Sequence, residues 1–174
     1  MKRESTLTAE EKEYYMHEAI IEAQKAYAKG EVPIGAVVVC DKKIIGRGHN
    51  LREVSQDATT HAELLAIQDA CRNQNSWRLL NSQLFVTLEP CPMCSGAIIL
   101  SRVDEVYYGA HDAKAGVCGT LMNLLADERF NHQAYVESDI CHDECQQLLQ
   151  TFFKELRKKK KEQKKTSQKI ENDV

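Results

Sequence analysis

The chain has 174 residues, 43% of them hydrophobic, which is the size of one domain with enough apolar side chains for a core without cross-links. Its charged start, Met1 to Lys12, lacks the apolar run of a secretory signal, and no uncharged stretch approaches the length of a transmembrane helix, so a soluble, cytoplasmic protein with no membrane contact is expected. Seven cysteines, an odd number in such a chain, argue against a disulfide framework and leave thiols for metal ligation. The net charge of -3 hides an asymmetry: Lys154 to Val174 holds nine Lys/Arg against four Asp/Glu, leaving an acidic body with a basic extension suited to meeting a polyanion locally.

Thr8 with Glu11 three residues on is a capping-box pattern, and Met16, Ala19, Ile20, Ala23, Ala26 and Tyr27 mark one face of the helix that follows, up to Gly30. Ile34 to Cys40 and Lys43 to Gly48 are apolar, β-branched runs joined by Asp41 and Lys42, a predicted hairpin. After a loop from Asn50 to Thr59, a helix from about Thr60 to Asn73 leads to a strand at Leu84 to Leu88, a helix from about Pro92 to Ser101 and a strand at Glu105 to Gly109. Tyr135 to Glu137 is a weaker strand, and the last helix runs from Asp143 to about Lys161 with Leu148, Leu149, Phe152, Phe153 and Leu156 on its apolar side. The alternation predicts an α/β fold, a mixed sheet with helices on both faces. It divides into a domain at 1–157 and a basic tail at 158–174, read as a frayed helix.

The chemistry concentrates in His61-Ala62-Glu63 and, 26 residues later, Pro90-Cys91-Pro92-Met93-Cys94, both at predicted helix starts. One imidazole and two thiolates suit zinc, and three protein ligands leave a fourth position for water, as hydrolysis needs. Cys91 and Cys94 are three apart, so one helical turn aims both sulfurs at one ion, and Pro92 suits the first helical position. Residues two apart on a regular helix point about 200° from each other. His61 and Glu63 therefore approach one ion only at a helix entrance, with Thr59 and Thr60 as cap candidates just before. The Glu63 carboxylate then serves better as a proton shuttle than as a ligand. Each piece has a structural alternative. Thr60-x-x-Glu63 is itself a capping-box sequence, and Cys-x-x-Cys is also a redox pair or half of a structural zinc site completed by His49, His111 or Cys118. Together, His-x-Glu and Pro-Cys-x-x-Cys are the known signature of zinc-dependent base deaminases, tRNA-acting ones included.

At these residues, and from about Thr8 to Arg157, the chain resembles the tRNA-specific adenosine deaminase family of bacteria. The likeness extends beyond the zinc motif to Glu31-Val32-Pro33-Ile34-Gly35-Ala36-Val37, Gly48-His49-Asn50, Thr87-Leu88-Glu89-Pro90-Cys91-Pro92-Met93-Cys94-Ser95-Gly96-Ala97, Gly109-Ala110-His111-Asp112-Ala113-Lys114 and Phe152-Phe153. The resemblance implies a three-layer α/β/α cytidine-deaminase-like fold with a mixed five-stranded sheet. It implies a homodimer with one Zn2+ per subunit, and conversion of the wobble adenosine of a tRNA anticodon stem-loop to inosine by a zinc-activated water. Carried over by position, His61, Cys91 and Cys94 are the zinc ligands and Glu63 the proton shuttle. Asn50, Asp112, Phe152 and Phe153 face the RNA, and Pro33 helps to wall the base pocket. His111 and Cys118 take no role from the resemblance.

The residues alone read differently at several of these positions. Asn50 ends a strand where Asn commonly makes a turn, Asp112 sits where it caps a helix, and Phe152 and Phe153 point about 100° apart, so one packs inside while the other is free for RNA or a dimer partner. Cys141 and Cys145, with His142 between, are a helix-spaced pair that ordinary family sequence explains without a second metal site. The rival readings are a deaminase of a free base or nucleotide, which uses the same zinc chemistry, and an idle zinc RNA-binding subunit, which has no need of Glu63.

Overall fold

The computed structural model describes residues 4–172, with side chains as far as Ser167. The Thr8 hydroxyl accepts from the Glu11 N–H while the Glu11 carboxylate accepts from the Thr8 N–H, and this capping box opens α1 (Ala9–Ala28). Strands β1 (Gly35–Cys40) and β2 (Lys43–His49) form the predicted hairpin. It turns at Asp41 and Lys42, whose φ values of 48° and 60° give the left-handed two-residue turn that matches strand twist. The loop that follows contains a one-turn helix, α2 (Arg52–Ser55), which the sequence did not predict. Next come α3 (Ala62–Gln74), β3 (Ser82–Leu88), α4 (Pro92–Ser101), β4 (Glu105–Ala110), β5 (Tyr135–Glu137) and α5 (His142–Asn172).

Two boundaries differ from expectation. Helix α3 starts after Thr60, whose hydroxyl bonds to the Asp57 carbonyl and to Ser55 instead of capping, so the Thr60/Glu63 capping box does not form. Helix α5 continues to Asn172, well past Lys161, although residues 157–167 are all exposed and bury no face. The expected tail of 158–174 is therefore helical as far as it is described, and residues 173 and 174 lie outside the described residues. No helix among the described residues is long and apolar enough to cross a membrane.

The five strands lie in the order β2-β1-β3-β4-β5, with β1 antiparallel to both neighbours and β3, β4 and β5 parallel. Strand side chains alternate between two cores, as a period of two requires. Val38, Leu84, Val86, Val106 and Tyr108 pack with α3 and α4 on one face, while Val37, Val39, Phe85 and Tyr107 pack with α1 and the start of α5 on the other. This is the three-layer α/β/α arrangement.

Two features of this frame fix the neighbourhood of the HAE and PCxxC motifs. Helix α3 lies directly on β2 because Gly46 and Gly48 carry no side chain there; a Cβ on either would overlap backbone atoms of α3, the Ala62 carbonyl in the case of Gly48. The long connection after β4 is tied to the body by Glu89, which is buried. Its carboxylate accepts the N–H groups of Asp112, Cys118 and Thr120, each at 3.0 Å, and the Thr120 hydroxyl. These donors favour the charged form, and although burial opposes them, they hold the carboxyl below its usual range.

Gly48→Ala should force α3 off the sheet and lower unfolding stability by about 1–3 kcal/mol, measured by denaturant unfolding, with the same substitution at Gly96, where an added Cβ meets open space, as the control. Glu89→Gln should cost about 1–3 kcal/mol at neutral pH by leaving loop donors short of acceptors. Because the folded carboxyl is depressed, its contribution is present above the unfolded value of about 4.3 and is lost as pH falls through the folded value. The stability gap between wild type and variant should therefore narrow below about pH 4. A gap independent of pH would contradict the assignment.

Candidate active site

The N-termini of α3 and α4 converge. His61 is the N-cap residue of α3 and Cys91 that of α4, both with extended backbones (φ -77°, ψ 152° and φ -79°, ψ 174°), and neither makes the side-chain capping bond typical of that position. Pro92 occupies the first turn of α4, and Cys94 lies one turn in and fully buried. The result is that Nδ1 of His61 stands 3.6 Å from Cys91 Sγ and 3.6 Å from Cys94 Sγ. A tetrahedral zinc, with Zn–N of about 2.0–2.1 Å and Zn–S of about 2.3 Å, holds nitrogen and sulfur about 3.6 Å apart. The three donors thus fit zinc in both chemistry and spacing, with one coordination position left over.

Glu63, the second residue of α3, is only 4% exposed and lines the same cavity. Burial pushes its carboxyl up to about 7, close to the pH at which a group accepts and returns a proton with equal ease. The thiols share their protons unequally. Hydrogen bonds from Cys94 and His61 pull Cys91 down to about 4, and the resulting thiolate, with burial, pushes Cys94 up. The Cys91 thiolate in turn raises the imidazole of His61. An ion binding here displaces both the Cys94 proton and the proton that His61 Nδ1 holds toward Cys91.

The cavity measures about 210 Å³, below the range of about 300–1,000 Å³ for drug-sized ligands and suited to a single ring system. Val32, Ile34 and Leu88 give it apolar walls, and Asn50, Arg52 and Asp112 add polar groups near the motif residues. A larger hollow of about 510 Å³, between the N-terminal segment and the Asp41–Lys42 turn, has no His or Cys in its lining and does not involve the converging helix ends.

The sequence-derived residues distribute unevenly around this cavity. Asn50 is buried in its wall with both ends of its amide engaged, donating to the Val32 carbonyl and accepting from the Arg52 N–H. Asp112 also lines the cavity, and its Oδ1 accepts from the N–H groups of Lys114 and Ala115. Pro33 is buried and does not line the cavity, although Val32 and Ile34 on either side of it do. Phe152 packs against Tyr27 and Phe153 is 40% exposed, both on α5 and outside the cavity lining. His111 pairs with Asp139, and Cys118 contacts Ser95, so neither joins the His61 set.

Sequence reasoning missed three residues. Arg52 reaches the cavity from the unpredicted helix α2, and that helix is itself held by buried Glu31, whose Oε1 accepts the Val54 N–H at 2.5 Å. Glu89 anchors the loop that carries Asp112. The available signal for Glu89 was an acidic residue inside an otherwise apolar run, which is either paired or out of place, whereas Glu31, after Lys29 and Gly30, gave no such signal.

Residues 9–110 match the cytidine and deoxycytidylate deaminase zinc-binding region. The tRNA-specific adenosine deaminase of Bacillus subtilis (strain 168) is 60% identical over 149 residues, spanning 86% of this chain and 92% of the relative. A solved structure from a study of A-to-I editing by tRNA:A34 deaminases at the wobble position of transfer RNA superposes with a TM-score of 0.75 at 38% identity, over 78% of this chain and 99% of that one. The guanine deaminase of Bacillus subtilis is also similar, with a TM-score of 0.56 at 37% identity, but over 62% of this chain and 69% of that one. The matched region contains both helix ends that bring His61, Cys91 and Cys94 together, and with a relative this similar along most of its length the chain belongs to the zinc-binding deaminases, in the family of the tRNA-specific adenosine deaminases.

Proposed function

We propose that the protein hydrolyses the wobble adenosine of a tRNA anticodon loop to inosine, releasing ammonia. The observation that carries this reading is a His-Cys-Cys donor set at zinc spacing beside a buried carboxyl, in a cavity the size of one base. His61, Cys91 and Cys94 hold the ion, one per subunit, which when bound supplies the Lewis acidity that makes water nucleophilic at neutral pH. Glu63 takes a proton from the attacking water on its carboxylate, gives it to the ring nitrogen, and delivers the second to the departing amine. Apolar Val32, Ile34 and Leu88 exclude bulk water and hold the base, while Asn50, buried in the wall, and Asp112 give the lining its polar contacts to the nucleotide.

The body is the catalytic domain, residues 1–157, and the basic segment 158–174 adds a surface for phosphates. On α5, Phe153 offers an exposed ring for contact with RNA or a second subunit, and Phe152 supports it from below. A homodimer is supported by the exposed apolar side chains of Leu100 on α4 and of Leu121 and Met122 in the loop leading to the 3-10 turn Leu124–Ala126, which packs on α4. A cytoplasmic location follows from a tRNA substrate. The likeness to a guanine deaminase supports a second reading, a free-base deaminase, because the zinc chemistry is common to both.

His61→Ala or Cys94→Ala should lose stoichiometric zinc and stability together, since the ion joins two helix starts. Glu63→Gln should keep the metal and the fold but lower kcat by about 10²–10⁴-fold. Elemental analysis and a deamination assay on each variant check this; zinc loss in Glu63→Gln would make Glu63 a ligand, and near-normal turnover would remove it from the mechanism.

Deleting residues 158–174 should weaken binding of an anticodon stem-loop and leave zinc content unchanged. Cations that neutralise phosphates release counterions, so the deletion should also flatten the dependence of affinity on salt, by about 0.7–0.9 of log-log slope for each phosphate that the tail neutralises. Binding titrations across a salt series test this, and identical slopes for intact and shortened protein would show that the tail is solvated and touches no RNA.

A further inference from the structure

Among the described residues, one other set of metal-ligating side chains comes together, and it lies in a different layer from the catalytic pocket. His17 of α1 meets Glu144 in the first turn of α5 and Cys141 just before it, with one ligand atom from each lying within 4.8 Å of the others. Cys141 and Cys145 stay one helical turn apart but meet different surroundings: Cys145 is buried in the core beneath Gly109, whereas Cys141 is half-buried and close to His17 of α1. Nε2 of His17 stands 3.1 and 3.2 Å from the two carboxylate oxygens of Glu144. Glu13, one turn earlier on α1, is close enough for its charge to act on Cys141.

We propose that His17, Cys141 and Glu144 form a second binding site for a borderline-soft divalent ion of the zinc type, which staples α1 to the start of α5. One imidazole nitrogen, one sulfur and one carboxylate oxygen are donors that zinc accepts together, and water or Glu13 completes four-coordination. The Glu144 carboxylate and the Cys141 sulfur beside one imidazole, with the charge of Glu13 nearby, also form a set whose negative charge a divalent ion neutralises. His17 and Glu144 already stand within the ligand-to-ligand distance of a closed zinc site, and the Cys141 sulfur lies within 4.8 Å of both, so an ion binds by a small inward adjustment that the exposed Glu144 can make. Burial, and then the carboxylates of Glu144 and Glu13, push the Cys141 thiol up to about 11, so the ion must displace a proton to bind through sulfur. Binding through sulfur therefore costs a deprotonation, which weakens affinity. The positive N-terminal end of α5 works in the same direction, and Asp143 and Glu144 in its first turn offset it. Occupancy fixes the root of the helix that carries Phe153 and the basic run, and so tunes how rigidly that surface is presented.

The test uses the full-length protein already loaded with its catalytic zinc. Zinc is titrated calorimetrically into wild type, Cys141→Ser, His17→Ala and Glu144→Gln, and deaminase activity and circular dichroism confirm that each variant is folded with its first ion in place. The expected result is a second, micromolar equivalent in wild type that raises Tm. It is lost in Cys141→Ser and His17→Ala and weakened at least tenfold in Glu144→Gln, with basal activity unchanged throughout. Cobalt added to the zinc-loaded protein should give a thiolate-to-metal absorption band that Cys141→Ser abolishes. No second equivalent in wild type, or one that survives both Cys141→Ser and His17→Ala, overturns the proposal and leaves an ordinary surface His17–Glu144 pair.

Discussion

The constraint on which the rest depends is that two helices begin at the same place. An N-cap position usually goes to Ser, Thr, Asp or Asn, whose side chain satisfies an orphan amide and contributes about 1 kcal/mol. At α3 and α4 this position is held by His61 and Cys91, which make no such bond. Both helices forgo a standard source of stability so that an imidazole and a thiol reach one point, 3.6 Å apart. The positive ends of the two helices favour the anionic form of the sulfur between them, so the arrangement that weakens the caps also prepares the ligands. Much of the surrounding sequence holds those two ends still. Gly46 and Gly48 let α3 rest directly on the sheet, Pro92 fixes the first turn of α4, and Glu89 ties down the loop that closes the pocket.

Charge is organised on the same plan. Buried carboxylates have separate tasks set by their surroundings: Glu89 is surrounded by donors and held ionised, whereas Glu63 is desolvated and held near neutrality, where it can exchange protons. Glu22, also buried, is matched by Lys25, His49 and Arg47 at the edge of the sheet. Uncompensated positive charge is displaced to the exposed end of α5, away from the reacting groups, where it can attract a polyanion without disturbing the protonation of the pocket.

The core elements were legible because their periodicity is strong. The alternation of Val37, Val38 and Val39 between two faces, the stripe on α1 and the capping box at Thr8 all fold as their patterns require. The convergence of His61 with Cys91 and Cys94 was legible from motif spacing, but not which ring nitrogen points inward, because a sequence carries no tautomer or rotamer. Helix α2 was invisible, since four residues without an apolar face give no period and its hold comes from distant Glu31. The end of α5 was misjudged because the Lys-rich run buries nothing, so no pattern marks where it stops. Helical spacing marks Cys145 as a neighbour of Cys141, whereas His17, far away in the chain, is the neighbour that only packing supplies.

The chemistry of the pocket is shared by deaminases of free bases and of RNA, so the substrate is decided by what enters it. The most direct measurement gives the purified, zinc-loaded protein equal amounts of a tRNA anticodon stem-loop, free adenosine, cytidine and guanine. Ammonia is followed from each, and the RNA is sequenced afterward. Ammonia is expected from the stem-loop alone, with the wobble adenosine read as guanosine. Ammonia from a free base, with the wobble adenosine unchanged, would contradict it.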